Sequence, residues 1–418
     1  MTAEHRAALA RWHGAAVAAV QGERVFKDYA SVIDGVFFFE RGDRKVRFSL
    51  PPKGGRLRLI GLGKAALGMA RGFRACLQGA GHDVDDGLLI VRDAPSSLAS
   101  GERLEPWQVL LGNHPYPGIE SERAARRLLE FIGTPRPEDR FVVLLSGGAS
   151  ALCALPAPGV TLEEKRRATL EIMNSGAPIA EINRVRQQLS AIKGGRLAAK
   201  LEPAQFLTLA ISDVPGDDPL VIGSAPTWSE DIARGGGRYV VIATLDDALD
   251  AAARSARAEG FEVAALGRCL DGLVEDITTR VIREIERRNG PHATPRPLLI
   301  IAGGESLVRI RGPGRGGRAQ ELALRLGQAL AAHNAASGFK SISGLVAGTD
   351  GSDGPTIAAG AFFDSSTMSR AHTVKLDVAR SLDGSDAGSA LETLGDLFIT
   401  GPTGTNVADV LMVVIPDR

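Results

Sequence analysis

Two hydrophobic patterns alternate along the chain. The runs "RLRLIGLG", "GLLIVRD", "WQVLLGN", "FVVLLSGG", "FLTLAISD", "YVVIAT", "EVAALG", "LLIIAGG" and "SGLVAGTDG" are mostly apolar throughout. A strand with one wet face alternates; a strand covered on both faces does not. These runs therefore predict the buried strands of a parallel sheet. Between them, apolar residues recur at spacings of three and four. Examples are Ala66, Ala70, Phe73 and Leu77 in "KAALGMARGFRACL", and Leu322, Leu326, Ala329 and Leu330 in "AQELALRLGQAL". A third stripe, Val185, Leu189 and Ile192, lies in "NRVRQQLSAIKGGRLA", with Gly194-Gly195 expected to end the helix. This spacing predicts helices with one buried face. Strand and helix in alternation give βαβ units and a three-layer α/β fold.

A length of 418 residues suits two domains better than one. The flexible break "RGGGRYVV", from Arg234, marks the expected boundary and gives domains 1–235 and 236–418. The Pro-rich "RRNGPHATPRP", from Arg287, reads as an internal loop. The start, "MTAEHRAALARWHGAAVAAV", reads as an amphipathic helix and not a signal peptide. No run is long enough to span a bilayer. The charge balance of 49 basic against 49 acidic residues argues against a dedicated nucleic-acid or membrane-surface protein. Cys76, Cys153 and Cys269 lack metal-type spacing and suit a reducing cytosol, so a cytoplasmic location is expected.

In open parallel sheets ligands sit beyond the carboxyl ends of the strands. Here those ends read "GLGK", "SGGAS", "ISDVPGDD", "AGGES" and "AGTDGSDG". "GLGK" is no Walker A loop, because the four-residue spacer and the following Ser or Thr are missing. Gly61, Gly63 and Ala66 do fit a dinucleotide fingerprint, with Asp85 about 20 residues on as a ribose partner. The physical content is a helix start that offers N–H groups to an anion, with Lys64 adding a charge that the helix dipole disfavours there. Ser146, Gly147, Gly148 and Ser150 form a second turn suited to backbone capture of phosphate, or an ordinary βα turn. G-x-S-x-G is absent, and none of the seven His stands out as a catalytic partner.

Arg186, Lys193 and Arg196 form a basic cluster for a carboxylate or phosphate, or else neutralise a helix end. Asp213, Asp217 and Asp218, with Asp350 and Asp353, give two acidic turns. They serve as Mg²⁺ ligands or a base, or as plain turns. Arg315 and Arg318 flank Gly316-Gly317 just before a helix, where glycine lets backbone approach a ligand and Arg can clamp phosphoryl oxygens. Cations, positioning and a base are what phosphoryl transfer needs.

Taken in order, "GKAALGMA", "LLSGGASAL", "PAPGVTLEEK", "EINRVRQQLSAIKGGRLA", "ISDVPGDDPLVIGSAPT", "AGGES", "GRGGRAQE", "AGTDGSDG", "AAGAF" and "TGPTGTNVADV" resemble the class II glycerate 2-kinases of the MOFRL type. The resemblance runs over nearly the whole chain. It implies transfer of the γ-phosphate of ATP to the 2-hydroxyl of D-glycerate. It also implies a larger N-terminal Rossmann-like domain, a smaller C-terminal α/β domain and a site in the cleft between them. Lys64 and an Arg of "GRGGR", here taken as Arg318, match the positions held to be catalytic, and Asp213 is added as the candidate base.

The reading then assigns Gly61, Gly63, Ser146, Gly147, Gly148, Ser150, Gly316 and Gly317 to ATP. Lys64, Arg186, Lys193, Arg315 and Arg318 go to the substrate, and Asp213 and Asp350 to Mg²⁺ brought with ATP. A homodimer is compatible with it, and neither nucleic acid nor membrane is expected as a partner. Two departures bear on substrate preference: the usual "GRGGRNQE" has Ala319 in place of its amide, and the usual "GGHPVPD" has Gly118 in place of its acid. Two other classes compete: an NAD(P)H-dependent hydroxypyruvate reductase using the G-x-G-x-x-A match, and a non-catalytic small-anion-binding protein.

Overall fold

The computed structural model describes residues 1–93, 106–175, 179–229, 232, 238–288, 297–337 and 342–416. Contacts group the chain into two compact units. One is Val20–Thr244 with Gly404–Asn406; the other is Met1–Ala19 with Leu245–Thr403 and Val407–Arg418. The expected boundary at 235/236 and most of the Pro-rich loop, 289–296, lie outside the described residues. The grouping is not contiguous in sequence. The N-terminal helix Ala3–Ala18 belongs with the later residues because it buries Leu9, Trp12 and Ala16. Trp12 meets Phe261 edge-on and donates its Nε1 to Glu259 at 3.0 Å.

The first unit opens with an antiparallel meander of β1 (Ala30–Ile33), β2 (Val36–Arg41) and β3 (Arg44–Ser49). The purely local apolar pattern had not singled it out. Phe37 from this meander joins Phe26 and Phe73 in an aromatic cluster under the helix Ala66–Gln78. A six-stranded sheet follows, made of β4 (Leu57–Leu62), β5 (Asp86–Val91), β6 (Trp107–Leu111), β7 (Arg140–Leu145), β8 (Gln205–Ile211) and β9 (Arg238–Ala243). Every pairing is parallel, in the order β6-β5-β4-β7-β8-β9. Counted from β4, this is 3-2-1-4-5-6, the doubly wound order. The order reverses between β4 and β7, whose last residues Leu62 and Leu145 are register partners.

The second unit holds β10 (Glu262–Gly267), β11 (Gly272–Leu273), β12 (Leu298–Gly304), β13 (Ser306–Leu307), β14 (Ser343–Gly348), β15 (Gly360–Asp364), β16 (Leu397–Phe398) and β17 (Asp409–Ile415). Its main sheet runs β10-β12-β17-β14-β15-β16, and only β10 and β12 are parallel. The apolar runs of β12 and β14 had predicted parallel strands. They are apolar because both faces are covered, which says nothing of direction. On one face Ile300, Val346 and Leu411 pack with Ile277, Val281, Leu322 and Leu326 of the helices Val274–Arg288 and Arg318–Ser337. The other face is covered by the helices Ala3–Ala18 and Leu245–Ala258.

The predicted helix stripes at Ala66, Ala70, Phe73 and Leu77 and at Leu322, Leu326 and Leu330 are buried. The third stripe differs. The helix there is Ile179–Gln188 and stops before Gly194. Asn183, Ser190, Ile192 and Lys193 are the buried residues, while Val185 and Leu189 are half-buried. Lys193 lies in the turn beyond the helix and therefore does not share a helix face with Arg186.

Candidate functional site

The turns after β4 and β7 interlock. Gly63 has φ +122°, and a methyl group on it would overlap Ser146. The Lys64 N–H donates to Gly147 O at 2.9 Å, and the Ala65 N–H donates to the Ser146 hydroxyl at 3.0 Å. The N–H groups of Lys64 and Ala65, just before the helix, are thus used within the protein, and that of Ala66 donates to Gly63 O at 3.3 Å. Gly61 serves packing, since a side chain there would meet Leu89 and Ala66.

The open amides lie one strand over. Among the described residues, the N–H groups of Gly147, Gly148 and Ser150 donate to no protein acceptor. Gly148 has φ +84°, so left-handed backbone follows the strand and turns successive N–H groups to one side. A β-carbon on Gly148 would stand 3.3 Å from Lys64 Cγ and 3.3 Å from His114 Cδ2. One on Gly147 would overlap the Asp213 carboxylate. Asp213 Oδ2 accepts from Asn406 Nδ2 at 3.1 Å. Lys64, His114, Gly147, Gly148, Ser150, Asp213 and Asn406 therefore meet at the switch point of the parallel sheet. Such an arrangement can hold an anion on backbone amides with a lysine and a carboxylate beside it.

Lys193 and Ser150 are also together: the amine donates to Ser150 O and to Ser150 Oγ, both at 2.6 Å. Burial, with Lys165 and Arg186 nearby, holds the Lys193 ammonium well below the ordinary lysine range. Burial, helped by Arg186 and Arg196, brings Lys165 down to about 8. Arg196 reaches Gln187 O at 2.7 Å and Lys193 O at 3.0 Å, which makes it a cap for chain ends.

In the second unit Arg318 opens the helix Arg318–Ser337 and meets two acids. Its Nε donates to Asp409 Oδ2 at 2.6 Å, its Nη2 to Asp409 Oδ1 at 3.3 Å, and its Nη1 to Glu305. Burial opposes the charge, but Asp409 and Glu305 together raise the Arg318 pKa. Arg315 is 61% exposed at its side chain and stands 3.9 Å from Glu392. Gly316 and Gly317 are glycines for close packing, on Ala387-Gly388 and on Asp353 respectively. Asp353 accepts from the N–H groups of Ala319 and Gln320 at 3.2 and 2.8 Å, capping the helix. Burial, with Asp409 nearby, pushes the Asp353 carboxyl up to about 6. Ala319 itself is fully buried in the core.

Other expected residues serve structure. Asp85 accepts from Leu57 N at 2.7 Å, at the start of β4. That is the amino end of the strands, opposite "GLGK" at the carboxyl end, so Asp85 is not placed as a ribose partner. Asp218 accepts from Leu220 N at 2.8 Å, and Asp350 from Ser352 N at 2.9 Å, both closing turns. Gly118 leaves room for Asn113, whose Oδ1 accepts from Glu120 N at 3.1 Å. Cys76, Cys153 and Cys269 are free, and burial pushes the Cys153 thiol up to about 12. No group of three or more His, Cys, Asp or Glu could hold a metal among the described residues. Among those residues, no helix is long and apolar enough to cross a membrane.

Sequence reasoning missed His114, Asn406, Glu305 and Asp409. Glu305 and Asp409 do stand at the ends of apolar runs, in "AGGES" and "NVADV", where a lone charge beside a buried strand is the available signal. Residues 298–409 match the MOFRL family, and residues 8–246 match a domain of unknown function, DUF4147. The chain is 33% identical over 410 residues to a D-glycerate 2-kinase of Thermotoga maritima, covering 89% of this chain and 94% of that one. It is 36% identical to an Agrobacterium vitis protein provisionally named hydroxypyruvate reductase, covering 86% and 100%. The crystal structure of a glycerate kinase from Thermotoga maritima superposes with a TM-score of 0.79 at 30% identity, covering 99% and 100%. On this evidence the chain belongs to the MOFRL-type glycerate 2-kinase family.

Proposed function

We propose that the protein transfers the γ-phosphate of ATP to the 2-hydroxyl of D-glycerate, giving 2-phospho-D-glycerate. The observation that carries this reading is the turn after β7. Three amides with no acceptor among the described residues, of Gly147, Gly148 and Ser150, stand with the Lys64 stem packed beside Gly148. Backbone amides suit phosphoryl oxygens, and a lysine next to them stabilises charge that grows during transfer. Asp213, held by Asn406, is the proposed base for the acceptor hydroxyl. Arg318, fixed in orientation by two carboxylates, is the proposed further cation.

Magnesium fits as a companion of the nucleotide. It keeps most of its waters and needs one or two carboxylates. Asp213 is the proposed carboxylate. When bound, the ion would neutralise charge on the phosphates. A cytoplasmic location suits ATP use and three free thiols.

The second reading is a hydroxypyruvate reductase, favoured by the name of the Agrobacterium vitis relatives. The position of Asp85 at the amino ends of the strands weighs against a nicotinamide dinucleotide on "GLGK". One experiment separates the two. Glycerate with Mg-ATP is followed for ADP, beside hydroxypyruvate with NADH or NADPH. ADP release that depends on glycerate supports the kinase; nicotinamide oxidation alone supports the reductase. Full activity in excess EDTA would remove the metal from the proposal.

A further inference from the structure

Two buried cations of the first unit, Lys165 and Lys193, have no acid partner among the described residues. Lys165 and Lys193 are 2% and 3% exposed. Lys165 donates to the carbonyls of Arg186 and Leu189, at 3.3 and 3.0 Å, and Lys193 to Ser150. Among the described residues neither has a carboxylate partner. Arg186 adds its field to both. Buried charges are normally paired. A buried ammonium that has no carboxylate of its own and donates to a hydroxyl is one that an anion at that hydroxyl completes.

The hydroxyl protons show where the anion makes contact. Ser224 Oγ donates to Asn183 Oδ1 at 3.1 Å, which uses its one proton. The 3.0 Å bond between Ser150 and Ser224 therefore runs from Ser150. Lys193 in turn donates to Ser150 Oγ. The chain of donors is Lys193 to Ser150 to Ser224 to Asn183. Asn183, 4% exposed, has an Nδ2 with no acceptor. Ser150 is the half-buried member, in the turn that carries the open amides. Rotating its proton from Ser224 to an incoming anion breaks one hydrogen bond and makes a charge-assisted one.

We propose that the Ser150 hydroxyl is the seat of the acceptor's carboxylate, and that Lys193 is a positioning residue supplying positive charge through it. This rests on the reading of the protein as a kinase of a small hydroxy acid. A carboxylate has two oxygens to place and is served by one hydroxyl with a cation behind it. A triphosphate needs the several amides next door. A neutral polyol such as glycerol loses the contact. The seat also couples to protons. Among the described residues, Lys193 is faced by Lys165 and Arg186, with the Cys153 thiol as its other titratable neighbour. A bound carboxylate favours the charged amine, so binding draws a proton from the buffer. Affinity for the acid then falls as pH rises.

The test compares wild type, Ser150→Ala and Lys193→Met in steady-state kinetics and in calorimetry with D-glycerate, glycerol and ATP. The expected result is a KM for glycerate raised about tenfold to a hundredfold in both variants, as for a lost hydrogen bond to a charged group. The KM for ATP stays at the wild-type value. Wild type takes up protons on binding glycerate in a buffer series, and Lys193→Met does not. If the KM for ATP rises instead, the group seats phosphate and the proposal is overturned. An unchanged KM for glycerate overturns it too. Should Lys193→Met fail to fold, Ser150→Ala, which removes only a hydroxyl, carries the test. If wild type transfers no phosphate to glycerate, the kinase reading fails by itself. Calorimetry then still reads the seat, and equal glycerate affinity in wild type and Ser150→Ala overturns it.

Discussion

Asp409 grips Arg318 through both carboxylate oxygens, at 2.6 Å to Nε and 3.3 Å to Nη2, from the first position of β17. The fork fixes the guanidinium plane, and Glu305 takes Nη1. A lysine cannot reproduce that fork. Arg318→Lys is expected to lower kcat/KM by about tenfold or more, the loss of a bidentate contact. Arg315→Lys, at an exposed site, is expected to leave it nearly unchanged. The reverse ranking in steady-state kinetics would move the assignment to Arg315.

Lys64 is the cation of the proposed phosphate cradle. Lys64→Ala is expected to lower kcat by about a hundredfold or more, the range for removing one electrostatic stabiliser. Circular dichroism should show an intact fold, because Lys64 is half-buried at a turn. A folded variant with near-normal kcat would sink the role.

Gly147 has no room for a side chain, since a methyl group would overlap the Asp213 carboxylate. Gly147→Ala is therefore expected to push Asp213 from Asn406 and to lower kcat, while Asn406→Ala lowers it less. Wild-type kinetics in Gly147→Ala would show that Asp213 is not needed where it stands.

His13 gives a pH dependence of stability. It is 1% exposed, meets Phe398 edge-on, and its Nε2 has no partner. Burial lowers its pKa to about 4, against a weaker pull from Gly348. The unfolded chain takes up the proton first as pH falls. The stabilising share is complete above about pH 6.5 and is lost towards pH 4, at most about 3 kcal/mol by linkage. Urea unfolding of wild type and His13→Phe at several pH values checks this. The difference between the two should change between pH 6.5 and 4, and a constant difference would exclude His13 as the cause.

The local pattern was enough for the nine apolar strands, the Ala66–Leu77 stripe and the polar strand ends, because the central strands, buried on both faces, demand unbroken apolar runs, and the outer strands β6 and β10 keep enough of that pattern to be read. It could not assign direction: β14 reads like β4 yet pairs antiparallel with β15 and β17. Nor could it assign Lys193 to a turn, since the stripe of Val185, Leu189 and Ile192 imitates a longer helix. Composition at the strand ends pointed to Lys64, Gly147 and Gly148, and the Gly-rich stretch before a helix, with the family resemblance, pointed to Arg318. Only the tertiary structure joined Asp213 to Asn406 and Arg318 to Asp409, partners 193 and 91 residues apart. Local spacing carries the period of a helix or strand, whereas ion pairs and amide cradles depend on which strands become neighbours. That choice is made by the burial of whole faces and is not written in any one segment.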